Sequence, residues 1–188
     1  MPILEVDGQM MAQTTAICNY LAREFGLYGK TSMESFQIDQ VVCLVNDFIA
    51  ATVKIMHEKD EAKKAELTKT YKEQECPKYL GFLENLLKKN ETGYFVGSEA
   101  TLADIFVYDV LWALHARDSC VLDNFSLLKE HKDKIGSLPQ IKAYKKKDNN
   151  KDKEEKDDDN DDDDDDDDDD DEAFISHKNT NTTVVLVA

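Results

Sequence analysis

No stretch of this chain approaches the ~18 consecutive apolar residues that a membrane-spanning helix needs. Nor does the N-terminus carry a basic segment followed by a long apolar one, the pattern of a secretory signal. Cys18, Cys43, Cys76 and Cys120 are scattered without a C-x-x-C pair, so they read as free thiols in a reducing compartment and not as a disulfide framework. A cytosolic protein is the default expectation, and the sequons at Asn90, Asn124 and Asn181 are then chance matches. No internal repeat is visible. His57, His115, His131 and His177 lie at no metal or catalytic spacing, and His57-Glu58 lacks the second histidine of H-E-x-x-H. These histidines are expected to be ordinary surface or packing residues.

What is present is charge, very unevenly placed. Residues 148–172 hold 19 acids and three lysines, a net of −16 out of the chain's −17. Residues 1–147 hold 21 acids and 19 bases and are close to neutral. The low pI therefore describes a tail, and body and tail are separate problems. Nothing in the body points to nucleic acid or to a membrane surface.

The body divides by period. Ile3–Val6 has strand composition, and Asp7-Gly8 suits a two-residue hairpin turn, with residues 9–12 as the return strand. From Thr14 the period becomes helical. Ile17, Tyr20, Leu21 and Phe25 share a face, Thr14 or Thr15 can cap the start, and Gly26 suits the stop. Residues 33–147 read as helix throughout. The first helix carries Phe36, Val41, Leu44, Val45, Phe48, Ile49, Val53 and Met56 as a broad buried face. A second, over 60–89, starts acidic and ends basic, with a kink expected at Pro77. Tyr94-Phe95 plugs a loop between two glycines. Thr101 and Asp104 then form a structural capping box before Ile105, Phe106, Tyr108, Leu111 and Trp112. Two shorter helices follow, roughly 123–135 and one opening at Pro139.

Beyond Lys147 globular composition ends. The acid run cannot bury a core and is expected to be disordered and extended, with a β-prone scrap, Thr-Thr-Val-Val-Leu-Val-Ala, at its end. Eleven consecutive aspartates, 161–171, would attract basic proteins or Ca²⁺ weakly, without the folded oxygen cage of a real Ca²⁺ site.

The order strand–turn–strand–helix, then all helix, with "PILEVDG", "AQTTAICNYLAREFGL", "VNDFI", "GYFVGSEATLADIFVYDVL" and "LPQIKAY", resembles the cytosolic glutathione transferases from Pro2 to about Tyr144. The resemblance is strongest to the sigma class, which includes haematopoietic prostaglandin D synthases. It implies a mostly α chain. A truncated thioredoxin-like ββα unit (1–27) and a short linker (28–32) would precede an all-helical glutathione transferase C-terminal domain (33–147), with a disordered acidic tail (148–188). The family's first strand–helix–strand has no counterpart in these residues. The abrupt start and the acid run are together read as the edges of an imperfect gene model.

The resemblance also implies roles. Pro2 falls on the family's cis-proline before its third strand, and Met1 where backbone pairs with the cysteinyl part of glutathione. Gln13 and Thr14 fall on the Gln-Ser pair that grips the γ-glutamyl carboxylate, a role that a helix N-terminus suits. Asp47 falls on an aspartate that reaches across a homodimer to the γ-glutamyl ammonium. Ile49 and Phe106 would help shape a pocket for small hydrophobic electrophiles. Some sigma enzymes bind a divalent cation between subunits; Cys43 and Asn46 replace two of its aspartates, so no metal is expected. Asp39 is expected to be a surface charge. The family's catalytic tyrosine lies just after the first strand. None of Tyr20, Tyr28, Tyr71, Tyr79, Tyr94, Tyr108 and Tyr144 stands there, so no catalytic residue is assigned. Two readings follow: a glutathione transferase with glutathione as co-substrate, or a non-catalytic dimerisation or ligand-binding scaffold.

Overall fold

The computed structural model describes residues 2–145, 175–179 and 182–187. The whole acid run, and Met1, lie outside these. The chain divides into two compact units, residues 1–24 with 143–188, and residues 25–142.

In the first unit, β1 (Ile3–Val6) and β2 (Gln9–Ala12) form the expected antiparallel hairpin, Ile3 opposite Ala12 and Val6 opposite Gln9. Asp7 at φ 50° and Gly8 at φ 78° supply its turn, because two positive-φ residues match the twist of the strands. Helix α1 (Thr14–Glu24) follows. Leu4, Val6 and Ile17 make a small core with Met11, Tyr20 and Leu21 against it. Phe25, expected on that face, is 55% exposed, because α1 ends before it and Gly26 (φ 69°) turns the chain away.

The far end of the chain differs from the expected tail. Residues 146–174 of that tail lie outside the described residues. The β-prone end forms β3 (Ile175–Asn179) and β4 (Thr182–Val187), and β4 pairs antiparallel with β1, giving the order β2-β1-β4-β3. β1 would otherwise present an unpaired edge, and a β-branched segment is the chemistry that fills one.

In the second unit, α2 (Ser32–Met56) packs on α5 (Leu102–Arg117) and on α4 (Cys76–Asn90), while α6 (Ser126–Gly136) packs on α4 and α5. Its core includes Val41, Val45, Phe48, Leu80, Leu83, Val107, Leu111, Leu128 and Ile135. Phe48 stacks on Tyr79 at 5.0 Å between centroids. The buried stripe of α2 is narrower than its apolar composition predicts. Phe36, Ile49, Val53 and Met56 are exposed, since α4 and α5 cover only the Ile38–Val42–Val45 side.

The helix expected over 60–89 is interrupted one turn before Pro77. α3 (Glu61–Thr70) passes into a wide π turn over Tyr71–Glu75, where the Cys76 N–H reaches back to the Tyr71 carbonyl. Pro77 follows in the first turn of α4. Having no N–H, it cannot hold the preceding turn in α-helical register, and the wide turn absorbs the mismatch. Residues 139–145 are helical, opening at Pro139 as expected.

Side chains secure the starts of α2, α3, α5 and α6, with Asp60 accepting the Ala62 and Lys63 N–H groups on α3 and Thr101 with Asp104 boxing α5. Thr31 and Glu34 form a reciprocal capping box on α2. α6 has no cap of its own. Glu84 reaches from α4 to accept the Leu127 and Leu128 N–H groups at 3.1 and 2.9 Å. Leu27, the last residue of the expected ββα unit, belongs to the second unit, where its carbonyl accepts the Leu102 N–H at 2.8 Å, and Thr31, within the linker expected at 28–32, caps α2.

Candidate functional site

At the start of α1 the structure places the cap one residue earlier than the expected Thr14 or Thr15. The Gln13 carbonyl accepts the Ile17 N–H at 3.0 Å, and Gln13 holds φ 77°. Left-handed backbone at a residue with a side chain costs on the order of 1–3 kcal/mol and persists where the surroundings hold it. Thr14 is thereby the first helical residue, exposed, and among the described residues no hydrogen bond engages its hydroxyl. This end of α1 offers N–H groups, the positive end of an 11-residue helix and a hydroxyl. It is suited to a carboxylate. Pro2, half-buried, leads into β1; Met1 is outside the described residues, and with it the geometry of their peptide bond.

In the second unit Asp47 is exposed on α2, on the helical face that also carries Phe36 and Cys43. It borders a hollow with Ala50, Lys54 and Tyr79. Ile49 is 40% exposed and Phe106 half-buried. Neither lines the apolar cavity of this unit, which lies among the C-terminal turns of α2 and α5 and the start of α4.

Asp104 is fully buried and accepts four hydrogen bonds. Oδ2 takes the Thr101 N–H (2.8 Å) and hydroxyl (2.9 Å); Oδ1 takes the Phe95 N–H (2.9 Å) and lies 2.9 Å from His131 Nε2. The carboxylate thus joins the loop before α5, the start of α5, and α6. With Thr101 it forms the capping box of α5.

Two contacts go beyond what spacing predicts. His131, expected as a surface or packing residue, is a packing residue and the buried partner of Asp104, with the Phe95 ring edge-on at 5.0 Å. Asp39, expected as a surface charge, is half-buried and accepts from the Tyr28 hydroxyl. Both contacts join residues 11 or more positions apart, beyond any local spacing rule. The Asn90 amide donates to Thr92 Oγ1 and to the Tyr94 and Gly97 carbonyls, so it holds the loop into α5 together. The four cysteines are free thiols. Burial pushes Cys18 and Cys76 above the usual thiol range, so neither is an activated nucleophile. Among the described residues no helix is long and apolar enough to cross a membrane.

The pattern of the family Glutathione S-transferase, C-terminal domain, matches residues 46–148. Glutathione S-transferase 3 of Caenorhabditis elegans is 36% identical over 147 residues, covering 76% of this chain and 71% of that protein. The prostaglandin synthase D structure of Nilaparvata lugens superposes with a TM-score of 0.73 at 33% identity, covering 78% of this chain and 73% of that one. A hookworm structure, described as monomeric Na-GST-3 of Necator americanus, gives 0.69 at 30% identity over 78% and 73% of the two chains. The helical unit, the ββα start and these similarities agree, and the chain belongs to the glutathione S-transferase family.

Proposed function

We propose that this chain is a sigma-class glutathione transferase that holds glutathione, as co-substrate, at the start of α1 for transfer to small hydrophobic electrophiles. The observation that carries the reading is Gln13 at φ 77°, with the exposed Thr14 hydroxyl beside it at a helix N-terminus. The γ-glutamyl carboxylate would accept from Thr14 Oγ1 and the first backbone N–H groups of α1. Charge-assisted bonds of this kind are worth about 1.5–3 kcal/mol each. Pro2 and Met1 would border the cysteinyl part. Ile49 and Phe106 would supply apolar surface to the electrophile.

Asp47 would serve a homodimer, offering its carboxylate to the γ-glutamyl ammonium held by the other subunit. The exposed Phe36 and Cys43 on the same face support this, although one solved relative is described as monomeric. The cytosol, with its reduced thiols, suits the four free cysteines.

Conjugation requires thiolate, and a free thiol near pKa 8.5 is only a few per cent ionised at neutral pH. The hydroxyl that favours thiolate in the family is not among the roles assigned to these residues. Binding and turnover are therefore separate tests. Titration calorimetry with glutathione should show saturable binding that Thr14→Val weakens about tenfold, the loss of one charge-assisted hydrogen bond. Equal affinity in wild type and Thr14→Val would remove the assignment. Conjugation to an aryl halide, measured alongside, separates an enzyme from a glutathione-binding scaffold.

A further inference from the structure

β4 lies against β1 on the side away from β2, so that Ile3 stands between Val187 and Ala12. Leu4 likewise stands between Leu186 and Met11, Glu5 between Val185 and Met10, and Val6 between Val184 and Gln9. Each β1 residue is thus the middle of a row across three strands. The row through Ile3 ends at Ala12, the residue before Gln13.

The two strands from the end of the chain differ in composition according to their place. β4 reads Thr-Thr-Val-Val-Leu-Val, β-branched or apolar throughout, and is an inner strand. β3 reads Ile-Ser-His-Lys-Asn and is the edge strand, where lysine and polar residues discourage further pairing. The open side of β1 is thereby exchanged for a guarded edge.

Without β4, the sheet before α1 would be the β1–β2 hairpin alone. A two-stranded hairpin is marginal in water, and stability comes with three or more strands sharing a buried face. The buried face here is small: Leu4 and Val6 pack with Ile17, whose N–H is held by the Gln13 carbonyl at 3.0 Å. Left-handed backbone at Gln13 persists only while its surroundings hold it, and the hairpin is the element it leaves.

We infer that residues 182–187 are a positioning strand: docked on β1, they hold the hairpin in register and, through Ala12, fix Gln13 and the first turn of α1. The strand belongs to the same chain and not to a second copy. A connected segment has an effective concentration of up to about millimolar, far above that of separate chains in dilute solution. The consequence for glutathione rests on the binding reading above; the consequence for the backbone does not.

Hydrogen exchange and calorimetry on the full chain test this. Val185→Pro removes an N–H from the middle of β4 and sets a ring in the ladder. The amides of Ile3–Val6 that face β4, and that of Ile17, should then exchange about tenfold faster or more. Those of Val45 and Leu111 in the helical unit should stay within about twofold, showing that the variant is folded. Val185→Ile keeps both the N–H and the β-branch and should match wild type. A Thr182–Val187 peptide flanked by lysines for solubility, added to Val185→Pro, should restore protection. Glutathione should bind Val185→Pro about fivefold more weakly than wild type. Unchanged exchange in β1 or at Ile17 in Val185→Pro would overturn the inference. So would an equal loss of protection in Val185→Ile, or wild-type protection that falls on dilution, the mark of a strand supplied by a second copy. Equal glutathione affinity in Val185→Pro and a glutathione-binding wild type would overturn it as well. A wild type that binds no glutathione, with exchange as expected, would remove the glutathione reading and leave the positioning strand supported.

Discussion

Replacing Asp104 tests the central claim about how the helical unit is held together. Its two oxygens take two backbone N–H groups, one hydroxyl and one imidazole nitrogen, with no water-exposed surface. Asp104→Ala removes all four contacts and leaves the Phe95 and Thr101 N–H groups without acceptors. Breaking a buried charged network this way costs about 3–5 kcal/mol. That is a large part of the roughly 5–15 kcal/mol by which domains are stable. Asp104→Asn keeps the shape and one acceptor oxygen. The Thr101 hydroxyl can rotate to accept, and His131 can change tautomer, but a backbone N–H cannot reverse. Whichever way the amide is turned, one of the two N–H groups faces an NH₂, at about 1–3 kcal/mol. The order should be wild type, then Asn, then Ala, with His131→Phe coupled to Asp104→Asn by at least about 0.5 kcal/mol in a double-mutant cycle. Urea unfolding followed by two probes measures it. Equal losses for Ala and Asn, or an Ala loss below about 1 kcal/mol, would refute the network as drawn.

Further outcomes follow from the same geometry. Gln13→Gly should relieve left-handed strain and raise the thermal midpoint while weakening glutathione, opposite signs that a plain stability effect would not produce. Glu84→Ala removes the only side-chain acceptor seen at the start of α6 among the described residues and should cost about 1–2 kcal/mol in urea unfolding, with amide exchange at Leu127 and Leu128 accelerated first. Cys76 and Tyr71 are both raised in the fold, chiefly by burial. Their contribution is fully present below the unfolded thiol value near 9.0 and is lost as pH rises through the folded values. Stability should therefore fall above about pH 9 by an amount that Cys76→Ala reduces, checked by urea midpoints across alkaline pH.

Much of the fold was legible because the relevant forces are local. Asp7-Gly8 dictates its turn, the 3.6-residue period places α1 and α2, and Thr-x-x-Asp places α5. The break near Pro77 was legible, but its form was not. A missing N–H says that register fails, whereas the wide turn at Tyr71–Glu75 depends on how α3 and α4 pack. α2 was over-read for a related reason: apolar residues occur around much of its surface, and only its neighbours decide that Val42 and Val45 go in while Phe36 and Met56 stay out. At the candidate site, Gln13 and Thr14 could be named from their resemblance, but the left-handed φ at Gln13 could not.

The sequence alone determined the near-neutral body and its acid run, the ββα start and the helical remainder, because composition, turn chemistry and periodicity act over a few neighbouring residues. Tertiary structure decided that His131 completes the Asp104 network and that Glu84 caps a helix 43 residues away. Those pairings are set by which helix faces meet, and a hydrogen bond at 2.9 Å leaves no trace in the spacing of residues so far apart.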